Sequence, residues 1–102
     1  MSIELARQQW QDGARRVRET SRDPVQHGRL ITVVDALVVE LRRRVGGIFT
    51  LEQLAAEYER VDRWGLDVVA ENAAVPGWAG SLATAQDAAF YTYARGAQDY
   101  AP

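Results

Sequence analysis

An all-α fold, a single-domain antiparallel bundle of about four helices, follows from three features of the sequence. Apolar residues recur at three- and four-residue spacing through most of the chain, and no stretch alternates like a half-buried strand. The breaks between segments carry Pro, Gly or a capping hydroxyl. The predicted helices are residues 3–22, 25–45, 50–73 and 84–99, with a short flexible tail from about residue 96. The 102 residues suit one core rather than two.

In the first segment Ile3, Ala6, Trp10, Ala14 and Val17 share one side of a helix, while Glu4, Gln8, Asp12, Arg15 and Arg16 fall on the other. Asp23-Pro24 stops it, because proline lacks a backbone donor and pushes its predecessor out of the α region. The second segment places Leu30, Val34, Leu37, Leu41 and Val45 on one face, widened by Ile31, Val33 and Val38. So broad an apolar surface predicts the central helix of the fold. "RRRVGG" ends it, with three cations at the negative end of the helix dipole and then glycines that can take a left-handed cap.

Thr50 and Gln53 have the spacing of a capping box and predict a third helix start. The stripe Leu51, Leu54, Ala55, Tyr58, Val61, Gly65, Val68, Val69 and Ala73 keeps its helical phase, so one unbroken helix is expected until "AAVPGWAG" interrupts it. The last helix is predicted from about Thr84, three residues before Asp87. Ala85, Ala89, Phe90, Tyr93 and Ala97 face inward.

The stretch "VGGIFTLEQLAAEYERVDRW" also raises the alternative of a DNA-binding helix-turn-helix. That motif wants a small residue, a glycine about four positions later and an apolar residue after it. With Ala55 as the small residue, Glu59 stands where glycine belongs and Arg60 where the apolar residue belongs, so the continuous helix is preferred. "FTLEQLAAEY" resembles segments of many bacterial regulators, and no residue role is carried across from that likeness.

The formal charge is −2 and the pI about 5.3, without the basic balance that binding to nucleic acid rewards. All 12 basic residues are Arg, a usage that fits coding bias as well as it fits chemistry. No Cys is present, which removes disulfides, thiolate metal sites and cysteine nucleophiles. "MSIELARQQW" does not read as a secretory signal, and "LITVVDALVVEL" is too short and too charged to span a bilayer. A cytoplasmic chain without membrane contact is the expectation.

No catalytic constellation is visible. His27 is the sole histidine, no Glu-x-x-His pair exists, and "VGGIF" lacks the lysine of a phosphate loop. No catalytic, cofactor-binding or metal residue is therefore assigned. Two features look like recognition. Arg15 and Arg16, with Arg42, Arg43 and Arg44, form basic clusters that could share one end of the bundle. Trp64, Trp78, Tyr91 and Tyr100 crowd the C-terminal half beside Phe90 and Tyr93, as an exposed interface or as an aromatic core joint; the sequence leaves both open.

The preferred function is a non-catalytic interaction module, an accessory or regulatory subunit binding a protein partner or itself. The alternative is DNA binding through residues 50–72. A small-molecule pocket lined by Trp10, Trp64 and Phe90 is a third possibility.

Overall fold

Four of the five α-helices start where a side chain satisfies the first free backbone donors. In the computed structural model, which describes residues 2–71, 78 and 80–100 (backbone alone for 97–100), Ser2 opens α1 (Ile3–Glu19) by accepting from the Leu5 N–H at 3.2 Å. One turn of 3-10 helix at Thr20–Arg22 follows. Asp23 then caps α2 (Pro24–Val45) by accepting from the Gln26 N–H at 3.2 Å, with Pro24 in the first turn, where its missing donor costs nothing. The Asp23-Pro24 pair is thus a start signal as well as a stop. At the far end of α2, Gly46 takes φ 83°, the left-handed region that glycine enters freely.

The capping box forms as predicted. The Gln53 N–H donates to Thr50 Oγ1 at 3.1 Å and the Thr50 N–H to Gln53 Oε1 at 2.8 Å, opening α3 (Leu51–Tyr58). The unbroken helix expected over residues 50–73 does not form. The chain turns at Glu59 and Arg60, where the Arg60 N–H donates to the Glu57 carbonyl at 2.9 Å, and α4 (Val61–Glu71) begins. No Gly or Pro marks the turn. What holds it is a set of side-chain contacts: Glu57 is buried and accepts from the Trp64 indole N–H at 2.9 Å and from Arg60 at 3.1 Å. Arg44 lies 3.6 Å from the same carboxylate and 5.0 Å over the Trp64 ring. A four-residue phase survives the turn, which is why periodicity alone missed it.

The last helix, α5 (Leu82–Tyr100), starts earlier than predicted because Ser81, not Thr84, is its cap: the Thr84 N–H donates to Ser81 Oγ at 3.3 Å. It stays helical through Tyr100, past residue 96, where a tail was expected.

The fold is one all-α domain of five helices among the described residues. Its central helix is α5 rather than α2. α5 packs against α1, α2, α3 and α4, and residues 85–90 are buried in succession. Small side chains make this possible. Ala85, Ala88 and Ala89 face their neighbours, and Gly13 of α1 sits so close to α5 that a Cβ there would strike the Asp87 Cβ and approach the Ala88 nitrogen to 3.0 Å. Around this axis Trp10, Phe90, Leu37, Leu41 and Leu54 form the fully buried core. Trp10 lies 5.5 Å from Phe90, and Tyr58 meets Phe90 edge-on at 5.1 Å. Among the described residues no helix is long and apolar enough to cross a membrane.

Candidate functional site

The end of α2, the loop after it and the outer turns of α5 form the most distinctive surface. Gly46 reverses the chain, and the Tyr93 hydroxyl of α5 donates to its carbonyl. One residue beyond the following Ile48, Phe49 stacks on the Tyr93 ring, with centroids 5.0 Å apart and planes 14° from parallel. The loop is therefore pinned on both sides of Ile48. Yet Ile48 itself is 97% exposed, the most exposed large apolar residue among those described.

Beside it lies a groove of about 540 Å³, within the roughly 300–1,000 Å³ usual for ligand sites. Val38 and Arg42 of α2 form one wall, Gly47 and Phe49 of the loop a second, and Thr92, Tyr93 and Gly96 of α5 the third. Its lining is mostly apolar, with one cation. Arg43 and Arg44 both pair with Glu40, at 2.9 and 3.1 Å, whereas Arg42 has no carboxylate partner among the described residues. Val39, 63% exposed, extends the apolar surface along α2.

A second, smaller cleft of about 310 Å³ lies between α1, α5 and the α3–α4 turn, lined by Gln9, Tyr58, Asp62, Gln86 and Asp87 among others. The Tyr58 hydroxyl donates to Asp87 Oδ1 at 2.5 Å and stands 3.0 Å from the Gln9 side-chain amide. A phenol has one proton, so while Asp87 takes it, Gln9 must turn its N–H toward the Tyr58 oxygen. Burial pushes the Asp87 carboxyl above its ordinary range, helped by Asp12 and Asp62 and opposed by the Tyr58 hydrogen bond and Arg16. The Tyr58 hydroxyl is likewise pushed well up, first by burial and then by Asp87. With its proton so firmly held, Tyr58 serves as a hydrogen-bond strut between three helices.

The residues singled out from the sequence fall in several places. Trp64 is 5% exposed and bound to Glu57, so it belongs to the core rather than to an interface. Trp78 and Tyr91 are half-buried and pack against that core. The side chain of Tyr100 lies outside the described residues. Trp10 and Trp64 each pack against Phe90, and none of the three lines either the groove or the smaller cleft.

Nor do the basic residues make one patch. Arg15 pairs with Asp12 at 3.1 Å near the end of α1, and Arg16 acts on Asp87. Arg42 lies 18 residues, about 27 Å of helical rise, beyond the start of α2. Of the five arginines only Arg42 borders the groove. The sequence singled it out for its charge and counted Tyr93 only among the crowded aromatic residues, whereas Ile48 and Phe49 carried no surface signal of their own.

No family model matches this chain, and neither a curated protein nor a solved structure does.

Proposed function

We propose that the chain is a non-catalytic interaction module that assembles with a protein through the face made of Ile48 and the groove beside it. The observation that carries this reading is the exposure of Ile48 in a loop held at both flanks. An isoleucine on a floppy loop is unremarkable, but one fixed in water beside an apolar groove keeps an unfavourable surface that burial in a partner would remove. The interface thus involves Phe49 and Tyr93 rather than Trp64 and Trp78, while the preferred class of function stays the same.

Affinity capture from lysate with the wild-type chain, Ile48→Asp and Gly96→Leu tests it. A Cβ at Gly96 meets nothing within 4 Å, so leucine there fills the groove without disturbing the fold. A protein retained by the wild type and lost to both variants supports the reading. Equal retention by all three overturns it.

The turn at Glu59–Arg60 favours a second reading, DNA binding by residues 50–72, since α3 and α4 follow one another as in a helix-turn-helix. The surface of α4 speaks against it. Its exposed residues include Asp62, Asp67 and Glu71 against Arg63 alone, and its apolar side, Val61 and Trp64, is spent on the core. Three carboxylates facing phosphates would be repelled. A gel shift on mixed genomic DNA that weakens steeply with salt would establish this second reading, and no shift would remove it.

A further inference from the structure

Resting on the proposed face, the identity of its occupant can be narrowed. An interface between two identical copies related by a two-fold axis must be self-complementary, because every knob on one copy meets a hole on the same patch of the other. The face has that property twice over. Its knob, Ile48, stands between Gly47 and Phe49, two residues that line the groove, so knob and hole are immediate neighbours. A two-fold axis passing beside the loop would set each Ile48 over the other copy's groove.

The charges repeat the pattern. Arg42 on the groove wall and Glu52 in the first turn of α3 are both exposed, and neither has an ion-pair partner among the described residues. They lie on either side of the loop that carries the knob. Exchange across a two-fold axis gives each arginine a carboxylate and each carboxylate an arginine. The formal charge of −2 leaves little overall repulsion between copies.

We propose that this face pairs with the same face of a second copy of the chain, Ile48 of each seated in the other's groove and Arg42 of each meeting the other's Glu52. Val39, beside the groove on α2, is covered in the same contact.

Sedimentation velocity of the full chain over a range of concentrations tests the pairing, with circular dichroism confirming that each variant stays helical. The expected result is a reversible dimer. Ile48→Asp is monomeric with unchanged helicity, since a residue so exposed supports no core. Arg42→Glu and Glu52→Arg each weaken association by about tenfold or more, and the double reversal restores it, because opposite charges again face each other. A chain that stays monomeric at every concentration overturns the pairing and leaves the face itself to the capture experiment. A dimer untouched by Ile48→Asp overturns the pairing, and a double reversal that fails to recover association overturns the Arg42–Glu52 contact.

Discussion

Glu57 accepts the indole N–H of Trp64 at 2.9 Å across the turn that separates α3 from α4. The acid is buried and its other oxygen binds Arg60, so one side chain ties the last turn of α3 to the turn itself and to the first turns of α4. A buried carboxylate is costly unless its oxygens are satisfied, and here indole and guanidinium donors do so.

Removing that carboxylate strands the indole donor. Glu57→Ala is expected to lower stability by about 2–3 kcal/mol in urea unfolding, and Trp64→Phe, which also trims core volume, by roughly 1–3 kcal/mol. A loss below about 0.5 kcal/mol for Glu57→Ala, the range of an ordinary surface change, would show that the turn is held by something else.

Two glycines lie on buried helical faces, and they should respond differently to alanine. At Gly13 a new Cβ meets Asp87 Cβ and the α5 backbone, neither of which can swing aside, so Gly13→Ala should destabilise by roughly 1–3 kcal/mol despite the helix propensity it gains. At Gly65 the obstacle is the far end of the Gln86 side chain, whose buried Nε2 has no hydrogen-bond partner to lose. Gly65→Ala should change thermal stability far less. Equal losses at both positions would contradict the close approach of α1 to α5.

Asp87 should impose a pH dependence. Its carboxyl holds a proton more tightly in the folded chain than in the unfolded one, chiefly through burial. The stability tied to it is therefore fully present below the ordinary carboxylate range and is lost as pH rises through its raised value. Asp87→Asn keeps an oxygen to accept from Tyr58 but cannot ionise. The stability of the wild type minus that of the variant, from urea unfolding at several pH values, should fall with rising pH; a constant difference would contradict the assignment.

Loss of one hydroxyl tests the loop. Tyr93→Phe removes the donor to the Gly46 carbonyl while keeping the ring that stacks on Phe49, and should cost about 1 kcal/mol of global stability. Faster amide exchange at residues 46–48 should accompany it. Unchanged exchange there would show that the stacking alone pins the loop.

Local chemistry was legible in the sequence and long-range contact was not. The Thr50–Gln53 box, the Asp23-Pro24 junction and the glycine cap at Gly46 are signals written within a few residues, and each formed. The turn at Glu59–Arg60 is written in Glu57, which reads as one acid among many until it is buried against α2, with Arg44 beside it and the nearby Arg60 and Trp64 closing on it. The centrality of α5 was hidden for a related reason. Alanines are weak markers of burial, and only the bare backbone of Gly13 opposite them shows how close the helices come. As for the candidate site, Arg42 stood out as a charge. Ile48 did not, because a single apolar residue after two glycines has no period to reveal which way it faces.

Amide hydrogen exchange of the wild-type chain, compared between dilute and concentrated solution, tests the proposed pairing of this face with its copy most directly. Protection should rise with concentration at residues 46–50 and 92–96 while α4 stays as it was. Protection that rises along residues 61–71 instead, or nowhere, would contradict pairing of two copies through Ile48 and its groove.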